Sequence, residues 1–152
     1  TTLNDSANLI SQAKNSFSPN SDVVLNSGTQ LTLNQYDNAI GSVTGSGNID
    51  LTGGGTLTLA DSNGAIFSGQ ISGSGGLIKQ GTGPFVLTGV QKTYSGPTQV
   101  QSGTLVAGSV NALSPTSAMV ISPNAELLLN NNSNVIGPLS GAGKVTLGTG
   151  TL

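Results

Sequence analysis

Shifted by 96 positions, so that residue 15 lies on residue 111, the sequence falls over itself without a gap. Residues 15–51 pair with 111–147, and 14 of those 37 positions are identical. Ser18-Pro19 meets Ser114-Pro115, and Leu31, Leu33 and Asn34 meet Leu127, Leu129 and Asn130. Asn38, Ile40 and Gly41 then meet Asn134, Ile136 and Gly137. A shorter echo lies at an offset of 28, where Gly41 to Leu51 matches Gly69 to Lys79. The three versions share one rule: Gly, any residue, aliphatic, Ser or Thr, Gly, small, Gly, any residue, aliphatic. A repeat of this kind specifies an architecture in which units stack on their neighbours.

The units are short strands. Aliphatic residues alternate with polar ones in Gln30-Leu-Thr-Leu-Asn, Gly55-Thr-Leu-Thr-Leu and Val145-Thr-Leu. Period two marks a half-buried strand. Between strands stand glycine-rich corners such as Gly73-Ser-Gly-Gly, where a residue without Cβ lets the chain turn sharply. The structural repeat glycines are Gly41, Gly45, Gly47, Gly69, Gly73, Gly75, Gly137, Gly141 and Gly143. An antiparallel sandwich or barrel would carry several Asn-Gly or Asp-Gly hairpin turns. The one instance, Asn63-Gly64, does not support one. The pattern predicts an all-β chain coiled as a parallel β-helix, a solenoid with Gly-rich corners. It forms a single segment over 1–152, with repeat units at about 15–51 and 111–147 and a related shorter one around 69–105.

One stretch breaks the pattern. Leu3, Ala7, Ile10 and Phe17 have helix-like spacing, with Asn4 and Asp5 available to cap a helix start. Leu3 reaches Asn15 in twelve residues, whereas Leu105 reaches Asn111 in six. The first copy is expected to carry six extra residues as a short helical turn or a coil loop bulging from a corner.

Charge decides what such a surface can bind. Only 7% of residues are charged, with six acids against four lysines, a formal net charge of −2 and no arginine. Nucleic-acid binding needs a basic patch to replace the counterions on phosphate, so nucleic acid is not expected as a partner. No apolar run approaches the roughly 20 residues of a membrane helix, and direct membrane insertion by this segment is not expected. Cysteine is absent, which excludes disulfides and thiolate metal sites.

Phe67-Ser-Gly-Gln-Ile-Ser-Gly-Ser-Gly-Gly-Leu-Ile-Lys-Gln-Gly-Thr-Gly-Pro-Phe-Val-Leu-Thr-Gly resembles the autotransporter-associated β-strand repeat of bacterial type V secretion passengers. Thr93-Tyr-Ser-Gly-Pro-Thr-Gln-Val-Gln-Ser-Gly-Thr-Leu is similar to the end of that repeat, and Asn111-Ala-Leu-Ser-Pro-Thr-Ser resembles a companion element. Pro84 and Pro97 depart from it, standing where Thr or Gly is more usual. The resemblance implies a right-handed β-helix, export through an outer-membrane barrel, and residence at the bacterial cell surface or outside the cell.

Candidate chemistry is sparse. Histidine is absent, which removes Ser/His/Asp triads and most zinc sites. Paired carboxylates would suffice for a polysaccharide enzyme, but Asp5, Asp22, Asp37, Asp50, Asp61 and Glu126 are scattered one per segment. Asp37 and Asp61 are the pair that stacked coils could bring together; solvated turn residues are the plainer reading. Lys79, Lys92 and Lys144 are isolated and are expected to interrupt neutral strand edges. Gly45-Ser-Gly and Gly73-Ser-Gly-Gly precede strands, unlike phosphate loops, which open helices. Calcium-binding nonapeptides would need Asp among the glycines, and none is there. Asn130-Asn-Asn-Ser-Asn reads as a surface corner, with Asn34 and Asn130 as candidates for an inward amide ladder.

No catalytic residue, metal site or cofactor is therefore expected. The function expected is a structural stalk or scaffold of an exported surface protein that supports adhesion or display. The alternative is a binding module, contacting a host surface protein, a glycan or sister molecules side by side or head to tail. A polysaccharide-active enzyme comes third. Thr2-Leu3 reads as the tail of a strand and Leu152 as the middle of one, so both ends of the stack are expected to be open edges that favour pairing.

Overall fold

A computed structural model of the protein describes residues 1–60, 62–90 and 92–152. The strands run in chain order as β1 (Thr2–Leu3), β2 (Asn8–Ile10), β3 (Val23–Leu25), β4 (Gln30–Thr32), β5 (Asn38–Ile40) and β6 (Val43–Gly45). Next come β7 (Asn48–Leu51), β8 (Leu57–Leu59), β9 (Ala65–Phe67), β10 (Ile71–Gly73), β11 (Leu77–Lys79) and β12 (Pro84–Leu87). The last six are β13 (Thr98–Val100), β14 (Gly103–Ala107), β15 (Met119–Ile121), β16 (Ala125–Leu128), β17 (Leu139–Gly141) and β18 (Lys144–Thr146).

They form three sheets, and every strand pairing is parallel. Face one is eight-stranded, in the order β1-β3-β6-β9-β12-β14-β16-β18. Face two is four-stranded (β10-β7-β4-β2) and face three six-stranded (β17-β15-β13-β11-β8-β5). The chain visits the faces in turn, so the fold is a parallel β-helix of about 7 turns. Beyond β10, the chain on the side of face two stays hydrogen-bonded to the coil below without an assigned strand. Thr93 N–H donates to Ile71 O and Ser95 N–H to Gly73 O, each at 2.9 Å.

Alternation fills the interior. Leu25, Phe67, Leu87 and Ala107 stack inward on face one, Leu31, Ile49 and Ile71 on face two, and Leu57 and Leu77 on face three; all are buried in one continuous core. Gly45 lies in the same column directly beneath Phe67, so a ring sits on a position that carries no side chain.

The stretch from Leu3 to Phe17 contains no helix. Its extra residues supply β2, the terminal strand of face two, paired through Leu9 with Leu31. Leu3 and Leu9 belong to two different strands joined by a turn at Asp5 and Ser6, both with positive φ. The three-to-four spacing came from that junction.

The sequence repeat is not the rung. Successive coils place Val23 against Val43 and Phe85 against Leu105, a step of 20 residues. An offset of 96 therefore moves the motif onto another side: Val23 lies on face one and its counterpart Met119 on face three. Asn34 and Asn130 do not form a ladder. Both are exposed corner residues with φ of 54° and 50°.

Candidate functional site

Side chains of the outer faces are what a partner would meet. On face one, two columns point outward along the coil axis. The first holds Val24, Thr44, Ile66, Val86, Val106, Leu128 and Thr146 in successive strands. Ile66 is 60% exposed, while Val106 is shielded to 8% by its neighbours. The second holds Asp22, Ser42, Gly64, Pro84, Thr104, Glu126 and Lys144. Between the columns an open groove of about 510 Å³ is lined by Thr44, Asn63, Gly64, Ala65, Ile66, Pro84 and Val86.

The other two faces are more polar. On face two, Gln30 Nε2 donates to Thr32 Oγ1 at 2.9 Å and to Asp50 Oδ2 at 3.3 Å, and Thr32 Oγ1 donates to Asn8 Oδ1 at 3.2 Å. On face three, Ala39, Thr58, Ile78, Gln99, Val120 and Ser140 form the outward column. Gln80 Nε2 donates to Gln101 Oε1 beside it at 3.0 Å.

The carboxylates are dispersed, and Asp22, Asp37, Asp50 and Glu126 each accept hydrogen bonds of their own. Asp22 accepts from Ser42 Oγ at 2.8 Å, and Asp37 from Thr56 N–H at 2.9 Å, with Lys14 3.8 Å away. Asp50 accepts from Thr52 N–H at 2.9 Å. Glu126 accepts from Thr146 Oγ1 at 2.6 Å and pairs with Lys144 at 3.0 Å. The Thr146 hydroxyl, followed by Lys144, holds the Glu126 carboxyl below the ordinary carboxylate range. The proposed partner of Asp37, Asp61, lies outside the described residues. Among the described residues no group of three or more acidic side chains could hold a metal ion.

Two lysines are not where their isolation in sequence suggested. Lys144 is exposed, but Lys79 and Lys92 are buried. Lys79 occupies the inward parity of β11 between Leu59 and Val100, and its ammonium donates to Gly81 O. Lys92 Nζ donates to Thr88 O at 2.7 Å and to Val90 O at 2.8 Å, closing a corner from within. Desolvation lowers its pKa from 10.5 to about 8. Alternation already marks Lys79 as inward, since Leu77 and Lys79 share a parity.

Two buried polar devices escaped sequence reading. Tyr94 OH shares a hydrogen bond with Thr98 Oγ1 at 2.6 Å, Thr98 Oγ1 another with Ser117 Oγ at 2.7 Å, and Ser117 Oγ donates to Gly96 O at 2.8 Å. Burial pushes the Tyr94 phenol up from its ordinary pKa. The second device is the pair Asn38 and Asn134, each buried inside a loop of the neighbouring coil.

The repeat glycines sit at close approaches. Gly45, Gly73 and Gly141 have φ near +104° to +108°. They end strands on faces one, two and three respectively, so one motif builds three different corners. The others are crowded. A Cβ at Gly69 would lie 1.7 Å from Gly47 O, one at Gly75 2.0 Å from Gly55 O, and one at Gly143 2.3 Å from Ile121 Cγ2. At Gly41, Gly47 and Gly137 the nearest atom would be 2.6–2.7 Å away.

Residues 77–107, spanning β11 to β14, match the family model described as the passenger-associated-transport-repeat. That stretch supplies Lys79, Lys92, Tyr94 and Thr98. A curated relative, the BmaC autotransporter adhesin of Brucella suis biovar 1 (strain 1330), is 37% identical over 103 residues. The alignment takes in 60% of this chain and 3% of that protein's length. No solved structure matches the chain. In its parallel coil, its matched repeat and its likeness to part of an adhesin, this chain is similar to a repeat-bearing segment of an autotransporter passenger.

Proposed function

We propose that this segment is a non-catalytic stalk or scaffold within a protein exported to the bacterial cell surface, supporting adhesion or display. The observation that carries this reading is the division of polar groups. The carboxylates spread over separate turns, whereas the buried hydrogen-bonded clusters, at Asn38, Asn134 and Tyr94, hold no carboxylate and tie one coil to the next. A catalytic cleft needs convergent groups at its surface; a spacer needs adhesion between rungs. The named relative is an autotransporter adhesin, which favours the same setting, although this chain corresponds to a small fraction of it.

The test is to immobilise the purified chain and challenge it with glycan arrays, matrix proteins and polysaccharide substrates. A stalk leaves all three untouched. Saturable binding to a host component supports the binding-module reading, which the exposed column on face one favours. Glycan cleavage lost on combined substitution of Asp37, Asp61 and Glu126 sinks the non-enzyme reading.

A further inference from the structure

We propose that face one pairs with face one of a second copy of this chain, antiparallel, about a two-fold axis through Val86. The inference goes beyond the stalk reading and does not depend on it.

Take a two-fold axis lying in the plane between two such faces and running along the strands. It reverses the coil direction but leaves each outward column opposite the same column of the partner. The first column then meets its own copy, apolar against apolar at its centre, and the polar column meets its own copy. With the axis on β12, Val86 faces Val86, Ile66 faces Val106, Thr44 faces Leu128 and Val24 faces Thr146. In the second column Ser42 faces Glu126, and Asp22 faces Lys144, twice by symmetry.

Charge selects this register. An axis half a step away, between β9 and β12, would oppose Asp22 to Glu126 and cost repulsion at both ends. Lys144 has three donors and pairs with Glu126, so a second carboxylate completes a chain of alternating charge. Between those ends the polar column is uncharged over Ser42, Gly64, Pro84 and Thr104. Shape agrees with charge. The groove between β6 and β12 lies opposite the partner's β12 to β16, whose outward column there is the apolar Val86, Val106 and Leu128. Sheets packed face to face keep their strands nearly aligned at about 10 Å, the arrangement this axis produces.

The contact is small. A few strands on each side fall short of the ~800 Å² per partner of a stable interface, so pairing is weak for one chain. It becomes consequential where two surfaces that each carry many copies face one another.

The chain has no cysteine, so single thiols report the geometry directly. In Val86→Cys the two thiols lie at the axis, and a short bis-maleimide should join them into a dimer with a yield rising with concentration. Val120→Cys, 39% exposed on face three, should give none. Asp22→Lys and Lys144→Asp, each made in Val86→Cys, should each cut the yield several-fold, and the double swap should restore it. Equal yields from Val86→Cys and Val120→Cys, or a swap that restores nothing, would overturn the proposal. Circular dichroism of each variant separates loss of pairing from loss of fold. Binding of the chain to matrix or glycan would instead sink the stalk reading alone.

Discussion

Asn38 and Asn134 perform the same task on different sides of the coil. Asn38 Oδ1 accepts the N–H of Phe17 at 3.1 Å, and Asn134 Oδ1 accepts that of Leu113 at 3.0 Å. Asn38 Nδ2 donates to Ala13 O and Tyr36 O, both at 3.2 Å. Asn134 Nδ2 donates to Ser109 O at 3.3 Å and Asn132 O at 3.2 Å. These partners stand 96 residues apart, pair by pair, so the repeat carries a complete amide plug and not merely a strand.

Asn134→Ala is therefore expected to lower stability by about 1–3 kcal/mol, because it orphans a buried N–H and two carbonyls. Asn134→Asp should cost more at neutral pH, since it turns the donor toward Ser109 O and Asn132 O into a charged acceptor. Urea unfolding followed by circular dichroism gives both values. An Asp variant as stable as the parent would show that the plug does not hold the loop.

The crowded glycines should behave unlike the open ones. Gly54 has φ +89°, but its nearest atom would be Ser74 Oγ at 3.9 Å. Gly54→Ala then carries only the left-handed backbone penalty, roughly 1–2 kcal/mol. Gly69→Ala drives a methyl into Gly47 O of the previous coil, and only a backbone shift relieves it. Gly69→Ala should lower the urea midpoint well beyond Gly54→Ala, or prevent folding; equal midpoints would contradict the stacking at that corner.

Strand parity and corner glycines were legible because each is a local property: Leu57-Thr58-Leu59 alternates whichever face it joins. The rung was not legible, because the repeat follows corners while the coil closes in about 20 residues. Gly45, Gly73 and Gly141 look like one position and occupy three. The apparent helix at Leu3 to Phe17 failed for a related reason, since spacing across a turn mimics spacing around a helix. Lys79 was misjudged by residue type over parity. Its stem fills the slot between Leu59 and Val100 while its ammonium reaches Gly81 O. The outer columns of face one needed the register itself, because Asp22, Glu126 and Lys144 align only once the strands are stacked.

The hydroxyl chain makes a graded prediction. Tyr94→Phe removes one end and leaves Thr98 still bonded to Ser117, so its cost should lie near 1 kcal/mol. Thr98→Val removes the middle, stranding the Tyr94 hydroxyl in a fully buried site. Its cost should exceed that of Tyr94→Phe by about 1 kcal/mol or more. Thermal or urea midpoints read the order, and a reversed order would break the chain as described.

Lys92 sets an alkaline dependence whose sign follows from its environment. Its folded pKa of about 8 lies below the ordinary 10.5, so above pH 8 the unfolded chain holds more protons than the folded one. Stability must then rise with pH from about 8. Tyr94 acts the other way: its raised pKa means the unfolded chain ionises first, so stability falls once the pH passes about 10. The parent should be most stable between those limits. Lys92→Met removes the rising limb and leaves the falling one. The carbonyls it frees, Thr88 O and Val90 O, lie in a turn where Val90 is 56% exposed, so water can replace the ammonium. Lys92→Met should accordingly match or exceed the parent at pH 7, and its advantage should shrink toward pH 10. Urea midpoints measured across that range decide it, and a parent curve flat from pH 8 to 10 would place the Lys92 ammonium in water instead.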